Sequence, residues 1–372
     1  MTAPLVLRLE AELLTTIDPI HRALLSVQIA CYQARIGEFE NAESRRVELR
    51  KEFGAGQSAR VSILIMCLEG MLLYFKDLNP AARDRLLRAN LLSVACNERA
   101  LAALTFAWLS HIDFNQGRYD SMARAIAKCF ETIDADDGSA ACRVSLVLGD
   151  AFTFTNKVDQ ARIWYEHARV TANRIGDQAA VGAITYNRAA LHVASARVRR
   201  LTARLDSSEI NFVNAEVRSA INYQHVARLI SLGHLLRSAS IGVLMLEEQF
   251  EKACFAIKDV VASSEVPKDS AELALLYADQ AHCLARLGRV PEAAVAAKAA
   301  TAIAADRFDA DDRAIIFGAL SDYSLASGDE TSATSSKGAC QVALEEHQKT
   351  IESLSILLGQ FLSGPPNPLS YS

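Results

Sequence analysis

The sequence predicts an all-α protein in which a two-helix hairpin recurs about every 40 residues. Turn-like segments begin at Gly37, Asp77, Gly117 and Asn156, and again at Glu248, Gly288 and Gly328. Their spacing is 40, 40 and 39 residues, then a gap, then 40 and 40. Small residues keep the same step seven positions earlier, at Ala30, Gly70, Ser110, Gly149, Ala281 and Ser321, where a short side chain lets two helix backbones approach. Composition agrees. Hydrophobic residues make up 51% with Ala and Leu dominant, Gly (17) and Pro (8) are sparse, and few stretches alternate in the manner of strands.

Taken in order, residues 1–17 read as an N-terminal capping helix. Arg8, Glu10 and Glu12 fall within its apolar pattern, which fits an amphipathic helix and argues against a signal peptide. Asp18, with Pro19 at the first helical position, opens the repeat array predicted over residues 18–348. Ser58, Asp177, Asp269 and Asp309 stand about twenty residues after turns and read as N-caps whose side chains satisfy the free N–H groups of a new helix. Each unit is thus helix A, a turn, helix B and a capped start to the next A, with helices of roughly 16–18 residues. After Asn156 the next turns fall due near Arg197 and near residue 237, yet the pattern resumes at Glu248, leaving a surplus of about ten residues. That surplus is placed at 194–208, where helix A runs on to Arg204 and Asp206, Ser207 and Ser208 cap helix B. Ile241 stands where the small residue before that turn belongs. Residues 349–372 are expected to finish the last helix near Leu362, closing that end of the array, and to end in a disordered tail from Gly364.

The pattern resembles the tetratricopeptide repeat family, in its longer bacterial form of about 40 residues per repeat, over roughly residues 18–348. The small position of helix A (Gly70, Gly149) and the small residue opening helix B (Ala42, Ala161, Ala253, Ala293, Ala333) carry the resemblance. The family's helix-A Trp and the Pro between repeats are mostly absent, and HEAT-type repeats of similar period remain the structural alternative. The resemblance implies a right-handed α–α superhelical solenoid of about eight hairpins, helix A lining its concave surface. It also implies a non-enzymatic scaffold for a protein or peptide partner, as in a bacterial regulator or adaptor. The alternative is a sensor module serving a separate output protein, such as a diguanylate cyclase or a transcriptional regulator. Long-repeat forms resemble the sensory regions of such proteins, and neither a GGDEF-like motif nor a DNA-reading segment occurs here.

On that framework the groove residues lie three before, and one and four after, the small position of helix A, forming one helical stripe. The partner-binding residues expected from it are Met71, Tyr74, His111, Phe114, Asp150, Asn187, Arg188 and His282. Cys67, Ala107, Leu146, Thr153, Leu191, Ala278, Gly318, Asp322 and Leu325 share the stripe. The competing reading is packing between repeats. Arg197, Arg199, Arg200 and Arg204 form the densest basic cluster of an acidic chain. They are read either as a projecting contact for an anion or partner, which guanidinium groups suit, or as arginines that are merely solvated and paired.

The net charge of −5 shows no basic face of the kind nucleic-acid binding needs. The longest apolar runs, such as Val61 to Leu68, are too short to span a bilayer, so a cytoplasmic protein without membrane or nucleic-acid partners is expected. The eight cysteines make no CxxC pair and read as small buried side chains rather than metal ligands or disulfides. HExxH, GxSxG, Walker-A and GxGxxG motifs are missing, and the histidines do not pair at ligand spacing. The acidic run Asp134 to Gly138 lacks the spaced third ligand and closing Glu of a calcium loop. No enzyme activity and no cofactor are expected.

Overall fold

A computed structural model describes residues 3–54, 56–231, 233–263, 265–303 and 308–364. Among these residues the secondary structure is wholly helical. After α1 (Pro4–Thr15), the helices follow in consecutive couples: α2 (Pro19–Ile36) with α3 (Phe39–Phe53), α4 (Ala59–Asp77) with α5 (Ala81–Ala95), α6 (Arg99–Asn115) with α7 (Tyr119–Thr132), and α8 (Gly138–Phe154) with α9 (Val158–Ile175). Then come α10 (Gln178–Arg200) and α11 (Ser207–Ala227), α12 (Gly233–Leu246) and α13 (Phe250–Ala262), α14 (Ala271–Arg286) and α15 (Val290–Ala302), and α16 (Ala310–Ala326) and α17 (Glu330–Leu357). Sequential neighbours pack together, and so do alternate helices such as α2 with α4, α6 with α8, and α14 with α16.

Contacts divide the chain into two compact units. The first comprises Met1–Thr185, Asn222–Leu232 and Leu354–Ser372; the second comprises Tyr186–Ile221 and Gly233–Ser353.

The 40-residue step has a backbone cause. Residues 37, 117, 156, 248, 288 and 328, each predicted to begin a turn, all adopt positive φ, between 56° and 91°. In each turn the following N–H reaches back to a carbonyl five residues earlier, as from Glu38 to Gln33 (2.9 Å), Lys157 to Phe152 (2.8 Å) and Asp329 to Ser324 (2.9 Å). This closes the carbonyl end of the preceding helix in a left-handed cap. At the looser predicted turn the left-handed residue is Leu78, one position after Asp77.

The small positions answer to contact. A Cβ on Gly149 would stand 2.5 Å from the Tyr165 ring, and one on Gly70 would stand 2.9 Å from Leu86 Cγ. The helix-B residues Ala42, Ala161, Ala253, Ala293 and Ala333 are all buried.

Asp18 caps α2 by accepting from the Ile20 and His21 N–H groups. Ser58 caps α4, and Asp177 accepts from Ala180 N at 3.0 Å. Two expected caps differ. The cap of α14 is Ser270, which accepts from Leu273 N at 3.2 Å, rather than its neighbour Asp269. Asp309 holds the N-cap position of α16 without a side-chain cap bond. α10 runs for 23 residues and α11 for 21. Between them Asp206 Oδ1 accepts from Glu209 N while Glu209 Oε2 accepts from Asp206 N. This reciprocal pair fixes where α11 starts.

The first and last described helices both contribute to the first unit. On α1, Val6 joins Ala3, Tyr32 and Ala179 in one apolar cluster, and Leu5 N donates to Gly176 O at 3.2 Å. The C-terminal stretch, expected to close the far end of the array, instead places Leu354, Leu358 and Phe361 in the first unit's core with Trp164. The Phe361 ring meets Phe130 edge-on at 5.9 Å. The expected disordered tail lies outside the described residues from 365 on. All eight cysteines are free: Cys96 is exposed, Cys31 half-buried and the other six buried.

A Cβ on Gly328 would meet no atom within 4 Å, so only its φ of 77° resists substitution. Gly328→Ala is therefore expected to lower stability by about 1 kcal/mol in urea denaturation. Alkylation of the native protein should modify Cys96 first and the six buried thiols only on unfolding, as read by mass spectrometry.

Candidate ligand cavity in the first unit

The first unit is tied together by residues far apart in sequence. Arg35, near the end of α2, donates through Nη1 to Asp177 Oδ2 at 2.8 Å, with the two side chains 12% and 4% exposed. The other oxygen of Asp177 caps α10, so both oxygens of this buried carboxylate are engaged. Burial opposes the charge on Arg35, but Asp177 outweighs it and holds the guanidinium above its ordinary pKa. The α2 terminus is closed from another direction as well, since Ile230 and Ser231 both donate to Ile36 O.

Beside this closure lies a half-open cavity of about 390 Å³ lined by α1, α2, α4, α6, α8 and the junction of α9 with α10. Leu64, Cys67 and Met71 of α4 and Leu101, Leu104 and Trp108 of α6 make its apolar side. Its charged groups are Arg8, Arg35, Arg143 and Asp177, with Asp136 and Asp137 at the start of α8, and Gln28 and Ser139 are also on the wall.

Arg143 sits in α8, where every residue except Ser139 and Phe154 is buried. Its guanidinium lies over the Trp108 ring, 4.0 Å from the centroid. Burial, reinforced by Arg35, lowers its pKa to about 10, so it remains a cation at neutral pH.

Several expected groove residues assemble behind this contact. Trp108 meets the His111 ring edge-on at 5.6 Å, and His111 meets Tyr74 at 5.4 Å. Burial, with Arg143 nearby, depresses the His111 pKa well below the usual imidazole value, so the ring is neutral. Burial raises the Tyr74 hydroxyl pKa, and that hydroxyl accepts from Asn115 Nδ2 at 3.1 Å. Phe114 is buried against Tyr119 and Phe154. Asp150 is buried and accepts from the Tyr165 hydroxyl at 2.9 Å. Of the expected anchors in this unit only Met71 lines the cavity. His111, Phe114 and Asp150 are buried and Tyr74 is half-buried, where the adjacent helices α4, α6 and α8 pack on one another.

In the second unit Asn187 is half-buried, and Arg188 grips Glu216 through two N–H groups at 2.5 and 2.8 Å. His282 stacks on Phe250 and stands 3.3 Å from Asp322 Oδ2. The basic cluster is largely neutralised within the same unit. Arg197 is buried against Asp279 at 2.5 Å. Arg199 pairs with Glu209 at 2.6 Å, and Arg200 pairs with Glu248. Arg204 is exposed. Three of the four arginines thus pair within the unit, Arg199 while it stays exposed.

Sequence reasoning missed Arg143. A signal was present: it is the only charged residue between Asp137 and Asp150, in a stretch of Ala, Cys, Val, Leu, Ser and Gly. A lone charge in an otherwise buried helix needs a partner or a purpose.

The arrangement can hold a ligand; among the described residues no group of three metal-ligating side chains is present, and no helix is long and apolar enough to cross a membrane. No protein-family model matches the chain, and no curated protein matches it.

Asp177→Ala removes a helix cap and strands Arg35, and is expected to destabilise the protein by about 3–5 kcal/mol. The double change Arg35→Leu, Asp177→Asn, which leaves no unpaired buried charge, should cost less. Phe114→Ala should cost about 3–5 kcal/mol as a core truncation. Equilibrium denaturation of the four proteins checks all three expectations.

Proposed function

We propose that this chain is a non-enzymatic, ligand-responsive regulatory module. In this reading it is a long-repeat tetratricopeptide-like array of eight hairpins in a right-handed superhelix, and it signals through a separate output protein. The observation that carries the reading is the half-open cavity of about 390 Å³ beside the place where α1 and α2 meet the start of α10. Its volume lies in the range of small-molecule sites. Its walls come from helices distant in sequence, so an occupant would bind the closed arrangement better than an opened one. A ligand shifts an equilibrium by that difference in affinity. The eight free thiols suit a reducing compartment, and the proposal includes a cytoplasmic, bacterial setting.

A second reading, a scaffold for a peptide partner, is favoured by the stripe in the second unit. There Asp322, beside His282, and Leu325 are exposed. The two readings are compatible, because the output protein needs a surface to engage.

Thermal unfolding of the full chain in fractionated low-molecular-weight extract of its native cell tests the module. At least one fraction should raise Tm by a few degrees, as a ligand at about a hundred times its Kd stabilises by about 2.7 kcal/mol. If no fraction, at any concentration, changes Tm, the module reading fails.

A further inference from the structure

Arg143 is 5% exposed and lines the cavity of the first unit. Stacking on Trp108 uses the face of its guanidinium and leaves the in-plane N–H groups. Among the described residues no carboxylate or carbonyl accepts a hydrogen bond from it. The two other arginines of the wall are engaged, Arg35 by Asp177 at 2.8 Å and Arg8 by Ile175 O at 3.5 Å. With no protein acceptor, these N–H groups are left to water in the half-open cavity or to a bound anion, which forms the stronger, charge-assisted hydrogen bonds.

On the reading of the chain as a ligand-responsive module, we infer that the cavity takes a small monoanion, a carboxylate on an apolar body. The carboxylate meets the in-plane N–H groups of Arg143, and the body lies along Leu64, Met71, Leu101 and Leu104. Among the described residues Arg143 is the one buried cation of the wall without a carboxylate partner, Arg8 being exposed, and one buried cation fits one carboxylate. The more exposed acids of the wall, Asp136 and Asp137, oppose a headgroup of higher charge. The planar fork of a guanidinium matches a carboxylate through two parallel hydrogen bonds. An aliphatic acid and the C-terminus of a short apolar peptide share this chemistry.

Calorimetry on the full chain tests the assignment. The probes are decanoate, decanol, decylamine, and the tripeptide Leu-Leu-Val with a free or an amidated C-terminus. At least one free acid should bind about tenfold or more tighter than its neutral counterpart, the value of a charge-assisted hydrogen bond. Decanoate over decanol marks an aliphatic acid; the free peptide over its amide marks a peptide terminus. Arg143→Gln should weaken the acid by about tenfold to a hundredfold and leave decanol unchanged, with Arg143→Lys falling between because it keeps the charge without the fork. In methionine-methyl spectra the Met71 signal should move on titration while that of Met245 stays. Where the Gln variant does not fold, the acid-to-alcohol ratio of the unaltered protein and the Met71 signal decide. Equal affinity for acid and neutral forms, preference for the amine, acid binding that leaves Met71 unmoved, or no binding by any of these probes would overturn the carboxylate assignment. The module reading would then stand or fall separately, on whether an extract fraction stabilises the protein.

Discussion

Arg35 and Asp177 lie 142 residues apart in the chain and 2.8 Å apart in space, and the closure of the first unit depends on that meeting. Taking two charges out of water costs several kcal/mol per ion, and their attraction offsets this only when the remaining hydrogen-bonding capacity is filled. Here it is filled: one oxygen of Asp177 accepts from Arg35 and the other from the first turn of α10. The same carboxylate therefore starts a helix and holds α2 beside it. α1 and the segment around Ser231 secure the same junction through backbone bonds to Gly176 and Ile36.

Repetition supplies the parts that this junction joins. Left-handed residues at a 40-residue step end successive helices at equivalent points, and small residues such as Gly149 let paired helices come into contact. Helices of matched length then stack with their apolar sides covered, the arrangement that stabilises repeat arrays generally. Where length departs from the step, in α10 and α11, a reciprocal cap at Asp206 and Glu209 resets the start of the next helix, and arginines that looked available for a partner are paired within the unit.

Burial decides which polar residues are free to bind. Tyr74 and His111 form an aromatic backing for Trp108, and Trp108 in turn supports the Arg143 guanidinium. Tyr74 and His111, expected to face a partner, thus stand behind a cation that sequence patterns did not single out. A neutral His111 suits that role, because a second positive charge beside Arg143 would raise the cost of burying either one.

The chain by itself determined helicity, the repeat step, the turn positions, the caps at Asp18, Ser58 and Asp177, and the small contact positions, because each follows from interactions within a few residues or between adjacent helices. The helix-A stripe was legible too, since helical periodicity places Cys67, Met71 and Tyr74 on one face. Whether that face is open or covered was not, because periodicity fixes direction and not what stands opposite. The pairing of Arg35 with Asp177, the docking of Phe361 beside Phe130, and the placing of Arg143 on a cavity wall without a carboxylate partner were decided only by tertiary structure. Each joins elements 100 residues or more apart, or depends on the absence of a neighbour, and local sequence carries no record of either.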